Sequence, residues 1–467
     1  MTWRLYLVLV LFGVLLCSFF FNCHSSTADN DFHLRLKAYI DRIKVIDTHE
    51  HLRMNEGVRA DGVNFFTILN ASYLKSDLIS AGSPSLDQGM IAEGDLDKLW
   101  SVYGSWLDMT RNTSYYGHLV EGFRVLYGFD EPYFTRENIK PLSVKITQNY
   151  SDYDAWYRKS FQTANLELMF NDQYWSMFKT DLEFESYALV MRIDHYLYSI
   201  SAPAAQEISN TDTLSNPFYQ AAAQNVEIKT LDDYLGYAEK WFGRFADNGA
   251  VCAKTANAYW RTIYYEDIRK IEAEKLFILP ADTRTPEQNR KLEDFMFHWC
   301  VDKCAEYDLP LQIHTGYLAG NGDRQDNGKP VKLLNTLSLH RQTRFSLFHG
   351  GFPWYQEIGA LAKSFPNVAV DLVWLPQISR ESAVDALHQW LDCVPYNKFF
   401  WGGDCGVIEG SVGALEFGKS VVAQVLAERV SRGLMTEELA MDVALKIFRD
   451  NAIAFFRLEE KLGRNFL

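Results

Sequence analysis

Val45-Ile46-Asp47-Thr48-His49-Glu50-His51 is a short apolar stretch that ends in two histidines. In a β-strand, residues two apart point to the same side. His49 and His51 can therefore face one interior together, with His51 just past the strand end. Two imidazoles on one side form a natural pair of metal ligands. An HxH pair says little alone, but here it closes an apolar strand. Polar residues at a strand terminus explain one such histidine more easily than two.

Outward from this stretch the same pattern recurs. Short apolar runs stand at Val45–Thr48, Ala164–Phe170, Tyr187–Ile193, Ala250–Lys254, Leu309–His314, Phe345–His349, Val368–Val373 and Lys398–Gly402, each followed by a helical stretch. They are apolar on both faces, as expected of parallel strands covered on both sides. Eight strand-and-helix units predict an α/β fold, a closed (β/α)8 barrel (TIM barrel), more than an open sheet. Glu287–Tyr307 has a helical period, with Leu292, Phe295, Met296 and Trp299 on one side. Asp308-Leu309-Pro310 stops that helix and starts the next strand. A final helix is expected over Thr436–Leu458, with Leu439, Val443 and Ile447 as its apolar stripe.

Two connections, Arg53–Gln162 and Tyr198–Asn248, are too long to be plain loops. The first contains helix-like pieces such as Leu96–Met109. It reads as a helical insertion, about residues 53–162, on the first strand-to-helix loop, where it could form a lid over the barrel mouth.

Three more strands end in a residue able to bind metal. Leu311-Gln312-Ile313 leads to His314, Phe345-Ser346-Leu347-Phe348 to His349, and Phe399-Phe400-Trp401-Gly402-Gly403 to Asp404. Any one of these is more often a hydrogen-bonded pocket residue. Together, after strands one, five, six and eight, they converge on the C-terminal mouth where barrel enzymes keep their active sites.

These residues resemble the amidohydrolase superfamily, in particular its amidohydrolase-related (type 2) branch, which includes the barrel half of nodulin/glutamine-synthetase-like fusion proteins. More distantly they are similar to uronate isomerase. The resemblance runs from about Lys44 to Leu458 through IDTHEHL, AVCAKTANAYWR, LPLQIHTG, LFHGGFPWYQEIGALAKSFPNVAVDL, WGGDCG and IFRDNAIAFF. It implies that His49, His51, His314 and Asp404 bind a divalent ion, with Asp404 also the proton acceptor. His349 would be a ligand in a two-metal site or a substrate and water contact in a one-metal site. Lys254 falls where some members carry a carbamylated lysine bridging two metals; unmodified and protonated, it would be a poor ligand. One Zn2+ or similar ion is expected in preference to two.

Such a donor set suits attack of an activated water on an amide, ester or lactone. Asp404 and His349 are the expected catalytic residues. Arg192, Tyr259, Arg261, Arg324 and Trp354 are expected around the substrate, an arginine at the mouth being able to clamp a carboxylate. Arg192 could equally pair with a neighbouring acid such as Asp194. Asp371, inside strand seven, could orient a ligand histidine. His24, His33, His118, His298, His340 and His388 fit no strand-end pattern and read as core or surface residues; His195 stands apart because it adjoins Asp194.

Composition bounds the rest. The chain has 467 residues, 48% of them hydrophobic and 15% aromatic, enough for a large core. A net charge of −14 argues against a nucleic-acid partner. Residues 1–26 carry Arg4, an apolar run over Leu5–Phe21 and then Ser25 and Ser26, the pattern of a signal peptide or N-terminal anchor. Residues 27–467 would form the barrel domain. Export to the periplasm, the exterior or a membrane-anchored state follows as an expectation. Asn22 before Cys23 does not match a lipobox. The cysteines beyond the leader, Cys252, Cys300, Cys304, Cys393 and Cys405, show no disulfide framework. The partner expected is a small molecule, and a homo-oligomer is compatible with the chain.

The function expected is that of an exported metal-dependent hydrolase. The alternatives are uronate isomerase-like or decarboxylase chemistry on the same site, or a barrel without turnover that serves as a binding protein.

Overall fold

A computed structural model describes residues 31–52, 62–201 and 215–466. The leader lies outside them, so its reading as a signal or anchor is not addressed by the fold. Among the described residues no helix is long and apolar enough to cross a membrane.

Eight strands form one sheet in chain order: β1 Val45–Glu50, β2 Leu166–Asn171, β3 Tyr187–Arg192, β4 Cys252–Thr255, β5 Leu311–Ile313, β6 Phe345–Leu347, β7 Val368–Asp371 and β8 Phe399–Phe400. Every adjacent pair is parallel. Backbone bonds from Thr48 N to Trp401 O (3.2 Å), Asp404 N to His49 O (2.8 Å) and His51 N to Cys405 O (3.0 Å) join β1 to the segment after β8. The fold is therefore the expected (β/α)8 barrel.

The barrel interior is layered, as filled barrels are. At the bottom Ile46, Phe170, Val190, Cys252, Ala369 and Phe400 pack against Phe456, Leu458 and Phe466 from the C-terminus. Above them lies a polar layer. Thr48 Oγ1 donates to Asp371 Oδ2 at 2.7 Å, and Gln312 Nε2 donates to the Thr48 carbonyl at 2.8 Å. Asp371 thus serves Thr48 and the Val373 N–H rather than a histidine, correcting the expectation for it. Burial pushes its pKa up to about 7.

Helices Phe65–Ala71, Leu74–Ser80, Gln88–Glu93, Leu96–Met109, Ser114–Tyr127, Ile139–Tyr150 and Tyr153–Ala164 separate β1 from β2. Their apolar faces share one continuous core with the barrel helices. The tightest junction is between Ser114–Tyr127 and Ile408–Ser431, where Gly122 and Gly413 let two backbones touch. Beside it, the Tyr127 and Tyr150 hydroxyls donate to buried Glu409 at 2.5 and 2.8 Å.

The C-terminal helix differs from its sequence reading. Glu437–Leu445 widens into a π-helical turn at Lys446–Asp450, continues as Asn451–Phe456, and stops at Arg457, whose φ is 55°. The wide turn carries Arg449, whose guanidinium reaches the Lys44 and Phe466 carbonyls at 2.7 Å each. Val443 and Ile447 are buried, whereas Leu439 is exposed.

Candidate metal centre and its cavity

The segment ending β1 departs from strict alternation. The register with β2 shifts between Asp47 and Glu50. Thr48 joins the interior polar layer, yet its neighbour His49 also lines the cavity above it. Asp47 and Glu50 instead secure the Asp404 loop. Asp47 Oδ1 accepts from the His49 and Gly403 N–H groups at 3.1 Å each, and Glu50 Oε2 accepts from Cys405 N. Burial pushes the Asp47 carboxyl up to about 7 and raises that of Glu50 as well. Neither role shows in the sequence, because both depend on the strand across the closure.

Three strand ends carry an L-residue in the left-handed region: His349 (φ 62°), Trp374 (φ 63°) and Asp404 (φ 60°). Such conformations are uncommon outside glycine and collect where side chains must be aimed against backbone preference. All three aim at one place. His349 Nε2 lies 2.9 Å from His314 Nδ1 and 3.8 Å from Asp404 Oδ2. Trp374 packs edge-on to His349, ring centroids 5.1 Å apart. Asp404 Oδ1 lies 3.1 Å from His51 Nε2 and 3.5 Å from His49 Nε2.

The structure adds one acid that the sequence reading did not single out. Asp172, directly after β2, places Oδ2 4.0 Å from His49 Nε2. His49, His51 and Asp172 can each offer one ligand atom, all within 4.8 Å of one another. The run Leu-Met-Phe-Asn-Asp at the end of β2 held the signal, an acid at a strand end, without a histidine beside it to draw notice.

The donor chemistry fits a cation. His51 Nδ1 faces the Asp172 carbonyl at 3.0 Å, which makes it the N–H and leaves the Nε2 lone pair toward Asp404. His349 Nδ1 faces the Val373 carbonyl (3.2 Å), and His314 Nε2 faces the Tyr317 carbonyl (2.8 Å). With both N–H groups so assigned, two lone pairs confront each other at 2.9 Å. Burial, then Lys254, keeps His49 and His314 well below the usual histidine pKa; burial, then His314, does so for His349. Neutral imidazoles and carboxylates converging in a buried site are the donors a divalent ion takes. His314 stands against His349 and Tyr317, whereas the compact three-residue ligand group is His49, His51 and Asp172.

The cavity over this centre holds about 470 Å3 and is lined by His49, His51, His314 and Asp404 with Arg192, Lys254, Tyr259, Tyr73, Tyr174, Met177, Trp260 and Asp323. Arg192 lies there as an ion pair: Nη1 meets Asp172 Oδ2 at 2.5 Å and Nε meets Asp194. Burial works against its charge, but the two acids outweigh it and hold its pKa above the usual value. Lys254 Nζ sits 3.7 Å from the Phe348 ring centroid, and burial lowers its pKa to about 7. The Tyr259 ring packs on His314, centroids 4.9 Å apart.

Three expected substrate residues lie elsewhere. Arg261 turns away from the cavity to Glu293 (2.9 Å) and Asp294 on the Pro286–Glu306 helix. Arg324 is 78% exposed and pairs with Asp326 at 3.2 Å. Trp354 stacks under Lys329, 5.9 Å from its ring centroid. Each follows a strand end by too many residues for chain proximity to set its direction. His195 is a core residue against Phe178 and Tyr196. Arg261→Ala is expected to destabilise the fold by about 3 kcal/mol, because it strands buried Asp294, while bound metal stays unchanged. Arg324→Ala should shift stability by less than about 0.5 kcal/mol. Urea midpoints and metal content per chain check both.

The fold and this centre define a barrel of the amidohydrolase class. The amidohydrolase family model matches residues 181–458, more than half of the chain, and the chain belongs to that family. Protein fluG of Emericella nidulans is 26% identical over 220 residues, 45% of this chain; the chain spans about a quarter (25%) of that relative. Uronate isomerase of Thermotoga maritima superposes with a TM-score of 0.73 at 15% identity, covering 91% of this chain and 97% of the other. Glucuronate isomerase of Caulobacter crescentus gives 0.72 at 17% identity, covering 92% and 95%. At such identities the likeness shows the fold. The matched family stretch contains His314, His349 and Asp404 but begins after His49, His51 and Asp172.

Proposed function

We propose that the protein is a metal-dependent hydrolase that cleaves an amide, ester or lactone bond of a small polar molecule. The observation that carries this reading is the convergence of His49, His51 and Asp404 on one cavity, with a carboxylate oxygen of buried Asp172 beside the two histidines. His49, His51 and Asp172 would hold one divalent ion, Zn2+ by the nature of the donors, with Asp404 and His314 completing the site. A divalent ion there supplies Lewis acidity. Asp404, free of any amide donor on Oδ1 among the described residues, takes the proton of the attacking water and returns it to the leaving nitrogen or oxygen. His349, fixed by the Val373 carbonyl, turns its Nε2 lone pair toward His314 and Asp404, where it would add one more donor beside the ion. Trp374 and Tyr73, whose rings pack 4.6 Å apart, close the site against water from the insertion side. Export through the leader is part of the proposal and rests on residues 1–26 alone.

Metal analysis of the purified protein tests the centre, with about one divalent ion per chain expected. Treatment with a chelator should lower hydrolysis by about 1,000-fold or more, and Zn2+ should restore it. N-acyl amino acids, dipeptides and lactones are the substrates to screen beside uronates. Turnover of a uronate by isomerisation, with no hydrolysis in the panel, overturns the hydrolase reading while keeping the metal centre.

A further inference from the structure

The charges around the cavity are not scattered. Two basic side chains lie deep in it, Arg192 at 7% and Lys254 at 2% exposure. Arg192 spends Nε and Nη1 on its acids, and among the described residues Nη2 has no hydrogen-bond partner. Lys254 Nζ has no hydrogen bond or ion pair among the described residues; its contact is the Phe348 ring. Both offer N–H donors into the cavity that the fold itself leaves unused. Buried donors of this kind are retained where a ligand completes them.

The one acid at the rim of this cavity among the described residues is Asp323. Its neighbour Arg324 pairs with Asp326 instead, and no described cation or N–H meets the Asp323 carboxylate. The carboxylate is nevertheless placed. A Cβ at Gly320 would lie 2.1 Å from Asp323 Oδ2, so the side chain folds back onto the bare Cα of that glycine. The rim loop is in turn tied to the cavity wall, because the Tyr259 hydroxyl accepts the Ala319 N–H at 3.1 Å. Tyr259 and Trp260 line the same cavity, their rings 6.1 Å apart. An acid beside aromatic faces is the surrounding that suits an organic cation.

We propose that the substrate is a zwitterion, an amide built on an amino acid. Its carboxylate lies against Arg192 and Lys254, and its ammonium lies at the rim between Asp323 and the Tyr259 and Trp260 rings. The amide rests on the hydrolase reading above; the placement of the two charges does not. Asp323 is then a specificity residue remote from the bond that breaks, and it selects free amino groups over acylated ones.

The test uses the metal-loaded full chain and three probes of matched length, 6-aminohexanoate, hexanoate and hexylamine, with Kd measured by calorimetry at pH 7. The expected result is that 6-aminohexanoate binds about 10-fold tighter than either single-charge probe. Asp323→Asn should erase that advantage and leave hexanoate within about 2-fold. Gly320→Ala, which keeps the acid but pushes its carboxylate aside, should weaken 6-aminohexanoate in the same direction. Equal binding of 6-aminohexanoate and hexanoate, no binding of any probe, or an advantage that survives both variants overturns the proposal. Because no bond is cleaved in this experiment, failure of the hydrolase reading leaves its outcome unchanged.

Discussion

Asp404→Asn is expected to leave the protein folded and to lower kcat by about 1,000-fold or more, with KM changed far less. The two side chains have nearly the same shape, and asparagine tolerates the left-handed conformation (φ 60°) that this position requires. The Asp404 N–H bond to the His49 carbonyl (2.8 Å), which closes the barrel at this point, is untouched by the change. What disappears is the anionic oxygen 3.1 Å from His51 Nε2 and 3.5 Å from His49 Nε2, and with it the proton acceptor. His49→Ala removes a donor of the compact His49, His51 and Asp172 group, and metal content should fall to a small fraction of one ion per chain, whereas Asp404→Asn keeps that group and should keep its ion. Steady-state kinetics with metal analysis on both variants separates proton transfer from ion binding. Retention of more than about a tenth of kcat in Asp404→Asn would remove Asp404 from the chemistry.

Gly413→Ala should destabilise the protein by about 3 kcal/mol, although the substitution favours an isolated helix by about 1 kcal/mol. The added Cβ would stand 1.8 Å from the His118 carbonyl oxygen, and one at Gly122 would stand 1.9 Å from the Glu409 carbonyl oxygen. Both obstacles are backbone, so no rotamer change relieves them and the helices must separate. Separation would also strain the bonds from Tyr127 and Tyr150 to Glu409. Tyr73 reaches the cavity from this same insertion, so activity should fall together with stability. A lowered urea midpoint in both Gly413→Ala and Gly122→Ala is the expected result. A raised midpoint would show that helix propensity outweighs the close approach, and the junction would then be looser than described.

The barrel was legible because burying a parallel strand on both faces demands short, wholly apolar runs, and the eight runs quoted from the sequence lie on the eight strands. The histidines were legible because HxH closes such a run and because His314 and His349 end two others. Helix limits were legible where the apolar period is clear: Leu96–Met109 matches its sequence reading, and the helix read over Glu287–Tyr307 runs Pro286–Glu306. The long C-terminal helix was not, since a π-turn and a left-handed Arg457 leave no mark in hydrophobic spacing.

By itself, then, the sequence determined the eight-stranded architecture and the strand ends at which His49, His51, His314, His349 and Asp404 stand. The direction of everything beyond a strand end was decided by tertiary structure. Asp172 joins His49 and His51 across the β1–β2 pair, while Arg261, Arg324 and Trp354 turn to partners outside the cavity. Asp323 faces the cavity while its neighbour Arg324 faces solvent, a difference of one position that turns on a glycine three residues earlier. The physical reason is the same in each case. A strand's two-residue period carries side-chain direction along the chain, whereas in a loop the direction is set by whichever distant partner offers the stronger contact.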